Sequence, residues 1–419
     1  MSAEAHARIA QLAAHSGVHR AFRWFHLHQQ QIRRWHVELL GIPAPPFAEA
    51  ARAEWFLQRF RDLGLSNPQL DAAGNALAEL PAPATGNGPI SREPSIILLS
   101  AHLDTVFPPE TPIDIRESGP RLLAPGACDN GAGLSALLAL AAAVRESALT
   151  FPATILFAAN VGEEGEGNLR GMRHLFTASP YARRIAAAVA LEGAGNSALV
   201  TRALASRRFR VTVTGPGGHS WIDAGALNPI LLLARALLAL ESLDLSATEP
   251  RTTLNVGQIS GGTSINSIPQ SATALLDLRS TGASQLLAAE ASLREILNDW
   301  ILRRPYPQNT PPPAPHPTLN IELIGDRPAG ELPSGSPLLG TIRAVDRHLN
   351  LPTDPGLGST DANIPLSLGI PAVAIGTGGS SGGIHTLAEW YDPTGRDLAL
   401  RRILLTLLDT AHLVTGGTG

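Results

Sequence analysis

Hydrophobic positions along the chain follow two rhythms. From residue 46 to 63, "PFAEAARAEWFLQRFRDL" spaces its apolar side chains as a helix does and stops at Gly64, a residue suited to a helix C-terminal cap. This reads as a surface helix lying on a core. "SIILLSAHLDT" is an apolar run ending at His102 and Asp104, "GAGLSALLALAAAV" reads as a buried helix, and "ATILFAANV" and "AAAVALEGAG" are two further strands with polar residues at their carboxyl ends. Unbroken apolar runs mark strands covered on both faces. Alternation with helices predicts an α/β fold with a mixed, mostly parallel sheet, whose ligands bind beyond the carboxyl ends of the strands.

From about residue 207 the rhythm changes. "RRFRVTVTG" alternates as a half-exposed strand, "ALNPILLLARALLALESL" is a helix, and "TTLNVGQISG" and "ATALLDLRS" are strands. A helix, "ASQLLAAEASLREILNDWILR", and a strand, "TLNIELIG", complete a small α+β unit of βαββαβ order. The tail returns to the first style with the helix "LLGTIRAVDRHL", the strand "PAVAIGTGG" and the helix "RDLALRRILLTLLDTAHLV". The expected organisation is a first domain at residues 1–206 and 327–419, interrupted by an insert at 207–326. "PAPATGNGPISREP" and the proline-rich stretch at 305–317 read as loops. No internal repeat is present.

Composition narrows the function classes. The chain has 419 residues, a net charge of -4 and no basic block, which argues against a nucleic-acid partner. It contains no lysine, so a Schiff-base lysine, a phosphate-loop lysine and a kinase lysine are excluded. One cysteine, Cys128, rules out an internal disulfide and a thiolate zinc cluster; beside Asp129 it reads as a small buried filler. No apolar run approaches the roughly 20 residues of a membrane span, and no secretory leader pattern opens the chain, so the expected address is the cytoplasm. "GLGSTDANIP" offers Ser359 and Asp361 without the "GxSxG" of a serine hydrolase. Six histidines before residue 40 read as a surface or interface group.

The chemistry gathers elsewhere. His102, Asp129, Glu164, Glu192 and His385 are read as lying just past strand ends. Each alone is more often a hydrogen-bonded structural residue; together they form a nitrogen and oxygen donor set suited to catalytic zinc, with cobalt or manganese as substitutes. The adjacent Glu163 and Glu164 repel each other, so a positive charge is expected beside them. In this order, "AHLDTV", "GACDNGAG", "GEEGEGNLRG", "LEGAG" and "GGIHTLAEW" resemble the dizinc aminoacylase and carboxypeptidase-type metallopeptidases, the group of glutamate carboxypeptidase, peptidase T, succinyl-diaminopimelate desuccinylase and acetylornithine deacetylase. The resemblance spans roughly residues 45 to 415.

By that resemblance, His102 and Glu192 hold one zinc, Glu164 and His385 the other, and Asp129 bridges them. Asp104 would accept a hydrogen bond from the His102 imidazole. Glu163 would be the general base for a water bridging the metals, passing its proton to the leaving amine. The insert would be a lid through which two chains pair as a homodimer. Within it, His219 of "TGPGGHSW" would donate to the oxyanion, while Asn266 and Arg279 would grip the substrate's carboxylate or backbone. Apart from the resemblance, Arg279 reads as an exposed strand residue. Gly376, in the glycine-rich stretch before His385, would present its N–H to the same carboxylate, or the stretch is only a flexible loop.

Relatives that remove N-terminal residues usually carry aspartate where Glu192 stands, and glutamate resembles the carboxypeptidase and desuccinylase branch, while "GEEGEGNLRG" followed by "LEG" also resembles peptidase T-like proteins. Trp221 departs from the small residue expected after "GHS" and either shapes the substrate pocket or packs under the lid. The implied activity is hydrolysis of an amide bond in a short peptide or N-acyl amino acid. The alternatives are an N-acyl amino acid deacylase of the acetylornithine or succinyl-diaminopimelate type and, from another class, a non-catalytic dimeric peptide-binding protein. Loss of a ligand or of the base would mark the latter, and neither is missing.

Overall fold

The computed structural model describes residues 3–83, 95–243, 245, 249–303 and 316–416, so the loops read at 81–94 and 305–317 fall largely outside it. The chain forms two compact units, Met1–Ala203 with Gly330–Gly419, and Leu204–Ala329. In the larger unit the apolar runs become the strands Ile96–His102, Thr154–Asn160 and Ile185–Leu191, buried almost throughout. They lie parallel in the order Thr154–Asn160, Ile96–His102, Ile185–Leu191, Ala372–Ile375. Their carboxyl ends therefore line one edge of the sheet.

Shorter strands complete the nine-stranded sheet. Ala76–Leu80 and Ser66–Leu70 add antiparallel beside Thr154–Asn160; Leu199–Ala203 and Gly330–Glu331 add antiparallel beyond Ala372–Ile375, and Gly356–Gly358 pairs parallel with Leu199–Ala203. A second small sheet joins Ser380–Gly382, Trp390–Asp392, Arg121–Leu123 and Arg116–Ser118. These outlying strands leave no mark in the hydrophobic pattern, because two to five residues with mixed polarity carry no usable period.

Helices cover the sheet. Gly131–Glu146 is buried from residue 131 to 144, and the Asn130 side chain caps it by accepting the Gly133 N–H at 3.1 Å. Ala50–Asp62 ends with Gly64 at φ +66° and with the Leu65 N–H on the Phe60 carbonyl at 3.2 Å, the left-handed cap that a glycine permits. Three N-terminal helices, Ala3–Ala13, Ser16–Leu27 and Gln29–Leu40, place Ile9, Val18, Phe25, Ile32 and Leu39 in the same core.

The smaller unit is a four-stranded antiparallel sheet in the order Thr252–Gly261, Ser271–Ser280, Ala205–Thr214, Thr318–Arg327. The helices Pro229–Ala239 and Ala283–Asn298 share a core with alternate strand residues, among them Phe209, Val211, Val213, Leu276 and Leu278. Asn228 caps the first helix by accepting the Ile230 N–H, and Pro229 occupies its first turn, where a missing N–H costs nothing.

Candidate metal centre

At the carboxyl edge of the parallel strands the chain delivers His102 as the last residue of its strand, Glu163 and Glu164 shortly after Asn160, and Glu192 directly after Leu191. Asp129 arrives differently, which corrects the reading that all five follow strands, while His385 follows only the three-residue strand Ser380–Gly382. Asp129 sits in the turn before the helix Gly131–Glu146, and His385 lies between the short strands Ser380–Gly382 and Trp390–Asp392 with a left-handed φ of +64°. The Asn130 side chain donates to the Leu191 carbonyl at 2.9 Å, tying the Asp129 turn to the residue before Glu192.

Three donor sets result: His102, Asp129 and Glu192; Asp129, Glu164 and His385; and His102, Glu163 and Glu164, each offering one ligand atom within 4.8 Å of the others. Asp129 belongs to the first two, and opposite oxygens face opposite imidazoles. Its Oδ1 is 3.1 Å from His102 Nε2, and its Oδ2 is 2.9 Å from His385 Nε2. Glu192 Oε1 stands 3.5 Å from His102 Nε2, and Glu164 Oε1 3.2 Å from His385 Nε2.

The donors fit a pair of divalent cations. His102 Nδ1 lies 3.0 Å from the Asp104 carbonyl oxygen, which can only accept, so in the neutral ring that a metal requires Nδ1 carries the proton and the Nε2 lone pair faces Asp129 and Glu192. Asp129 Oδ1 is buried and accepts no well-formed hydrogen bond. The site's field also favours positive charge. Hydrogen bonds that the His385 ring donates to Asp129 and Glu164 push it up to about 10, and His102 is raised well above its ordinary value because Glu192, Asp104 and Asp129 outweigh the penalty of burial. Half-buried Glu192 is pushed up to about 7 by desolvation and by the neighbouring carboxylates of Asp129 and Asp361, against the opposing pull of His102.

The Asp104 carboxylate has a different partner from the one expected. Its Oδ1 stands 3.7 Å from His102 Nδ1, too far for a hydrogen bond, and instead accepts the Glu163 N–H at 2.9 Å, while Oδ2 accepts the Glu164 N–H at 2.7 Å. Fully buried, Asp104 holds the backbone of both glutamates where they leave their strand. The charge of the nearby His102 imidazole and the bonds from those two N–H groups outweigh burial and keep its pKa below the ordinary carboxylate range.

Residues 98–408 match the description "Peptidase family M20/M25/M40". The chain belongs to this family. It is a hydrolase of the metal-dependent peptidase and amidohydrolase kind. A probable carboxypeptidase of Aspergillus clavatus is 30% identical over 207 residues, a match spanning 45% of this chain and 45% of that protein. Among solved structures, a tripeptidase of Staphylococcus aureus superposes with a TM-score of 0.70 at 19% identity, covering 91% of this chain and 98% of the other. A Bacillus subtilis protein described as a dinuclear metal binding peptidase of this family gives 0.65 at 13% identity, with 91% and 98% covered.

The other residues singled out in this M20-family chain are distributed between the two units. Gly376 follows the strand Ala372–Ile375, but its N–H already bonds the Ala198 carbonyl at 3.1 Å, so it has none to offer a substrate. A Cβ there would stand 2.5 Å from the Gly195 carbonyl oxygen, so close packing accounts for this glycine. Cys128 is buried and its thiol is pushed up to about 12 by that burial, the inert behaviour expected of a filler. In the smaller unit His219 and Asn266 meet on one ribbon, with His219 paired to Ser267 and the Ser220 N–H on the Asn266 carbonyl at 3.0 Å. His219 Nδ1 accepts the Trp221 N–H at 3.2 Å, so in the neutral ring Nε2 carries the proton and is a donor. Arg279 lies on the central strand Ser271–Ser280, away from that ribbon in sequence, and its Nε donates to Asp277 at 2.7 Å.

Three buried side chains around the centre carry no signal in the hydrophobic pattern. Arg52 donates to the carbonyl of Leu103, between His102 and Asp104, at 2.7 Å and to that of Ile42; burial lowers it to about 10. His36, expected at the surface, is buried with Nε2 2.8 Å from the Ala127 carbonyl. The Glu389 carboxylate accepts N–H groups from the turn that carries Asp129. No local signal identifies such residues, since their partners lie far away in the chain.

Proposed function

We propose that this protein is a two-metal hydrolase that cleaves an amide bond in a short peptide or an N-acyl amino acid. The sharing of Asp129 between two donor sets, with one oxygen toward His102 and the other toward His385, is the observation that carries the reading. His102 and Glu192 would hold one ion, Glu164 and His385 the other, with Asp129 between. Nitrogen and oxygen donors without sulfur suit two zinc ions per chain, with cobalt or manganese able to replace them. When bound, the ions would supply Lewis acidity and a water of lowered pKa.

The chain's own groups would do the rest. Glu163, buried and offering an atom within 4.8 Å of ligand atoms of His102 and Glu164, would take the water's proton and return it to the leaving amine. Asp104 would serve by holding the Glu163 backbone rather than by touching substrate. The His219 Nε2–H would donate to the oxyanion, and Asn266 and Arg279 would bind the substrate's carboxylate or backbone. In that last role Arg279 would have to exchange its bond to Asp277.

Substrate choice is framed by Glu192 and by the similarity to a probable carboxypeptidase, which favour cleavage next to a free carboxylate; a deacylase of N-acyl amino acids is the alternative. Pairing of two chains through the smaller unit is supported by an apolar groove of about 820 Å³ lined by Leu237, Leu238, Leu254, Val256 and Ile259, beside a strand, Thr252–Gly261, at the end of its sheet. The proposed address is the cytoplasm; among the described residues no helix is long and apolar enough to cross a membrane.

The deciding experiment is hydrolysis of dipeptides, tripeptides and N-acyl amino acids by metal-stripped protein, with and without added zinc, cobalt or manganese. Cleavage restored by metal supports the reading, and the best substrate identifies which end is cut. Two ions bound by elemental analysis with silence across the panel would favour the binding protein instead.

A further inference from the structure

Glu389 is fully buried in the larger unit. A carboxylate there needs compensation, and the turn before the helix Gly131–Glu146 provides it. Oε1 accepts the N–H of Cys128 at 2.7 Å and that of Asp129 at 2.8 Å, and Oε2 accepts the N–H of Gly126 at 3.1 Å. Converging backbone N–H groups make a site for an anion, here filled by a side chain of the same molecule. The opposite side of the turn is held as well: the Ala127 carbonyl faces His36 Nε2 at 2.8 Å, and the Gly126 carbonyl accepts the Gly131 N–H at 3.0 Å.

The position of Glu389 gives this clamp a consequence for the metal centre. It stands four residues after His385, linked to it through two tight turns, Thr386 N–H to Gly383 carbonyl at 3.0 Å and Glu389 N–H to Thr386 carbonyl at 3.1 Å. One carboxylate thus registers the segment bearing Asp129 against the segment bearing His385. These two side chains face each other at 2.9 Å. Main-chain bonds of the same region are independent of the carboxylate: the Glu389 carbonyl accepts the Ala124 N–H at 3.1 Å, and Trp390 pairs with Leu123. A substitution at 389 therefore tests the side chain without unmaking the small sheet.

We propose that Glu389 is a positioning residue for the metal pair, setting the place of the shared Asp129 carboxylate relative to His385 by clamping the Gly126, Cys128 and Asp129 amides. The proposal rests on the two-metal reading above. It concerns geometry alone, since Glu389 is not itself in any of the donor sets.

The test is titration of metal-stripped protein with Co2+, followed by its visible absorption, for wild type, Glu389→Gln and Glu389→Asp. Glutamine keeps the shape but turns an NH2 toward one of the three N–H donors; aspartate keeps the charge and withdraws it by one methylene. Glu389→Gln should raise the Co2+ concentration for half-saturation about 10–100-fold and change the absorption bands. Aspartate should fall between glutamine and wild type. At saturating Co2+, kcat should drop with KM little changed. Wild-type titration and spectrum in a variant that only melts earlier would overturn the proposal and make Glu389 a structural anchor, as would failure of both variants to fold. Absence of a two-ion endpoint in wild type would instead sink the metal reading itself.

Discussion

His102 and Asp104 are joined through the backbone: the imidazole Nδ1–H donates to the Asp104 carbonyl at 3.0 Å, and the Asp104 carboxylate is at 3.7 Å. That carboxylate is spent on the N–H groups of Glu163 and Glu164. Asp104→Asn would leave the imidazole's partner in place but set an NH2 donor against one of those N–H groups. We expect metal stoichiometry by elemental analysis to be retained and kcat to fall about 10–100-fold. Loss of one metal with the remaining activity intact would mean that the carboxylate acts on His102 after all.

Glu163→Gln removes the proposed base while keeping the side chain's shape. The backbone bond to Asp104 persists, so the loop should not move. Bound metal should stay at the wild-type level and turnover should drop about 10²–10⁴-fold. Comparable rates in variant and wild type would remove Glu163 from the mechanism.

His219→Ala addresses the donor in the smaller unit. With Nδ1 occupied by the Trp221 N–H, the ring is set to donate from Nε2. A donor used only when the oxyanion forms affects kcat, so we expect a fall of about 10²–10³-fold with KM within a few-fold of wild type. A raised KM at unchanged kcat would make His219 a substrate-binding residue.

How much of this was legible beforehand follows from where each residue's partners lie. His102, Glu163, Glu164 and Glu192 could be read from the chain because long apolar runs stop at them, and a buried parallel strand has to end at the ligand edge of its sheet. Asp129 and His385 sit on turns without periodicity, and only their motifs drew attention to them. Glu389, Arg52 and His36 were invisible because the amides and carbonyls they hold belong to distant segments. Gly376 was misread for the same reason, since Ala198 had already claimed its N–H.

His36 yields a prediction about acid stability. Burial, helped by the positive charges of Arg396, Arg33 and Arg52 and opposed by the bond to Ala127, lowers its pKa from 6.5 to about 3. The unfolded chain therefore takes up a proton below pH 6.5, which the native protein refuses until about pH 3. Folding stability contributed by this group falls as pH drops through that window, by about 1.4 kcal/mol per pH unit at most, and is fully present above pH 6.5. His36→Gln offers the Ala127 carbonyl an amide donor that does not titrate. Urea unfolding of the metal-free protein between pH 7 and pH 4.5 should show wild type losing stability more steeply than the variant. Parallel curves for the two proteins would show that His36 is not held neutral in the native state.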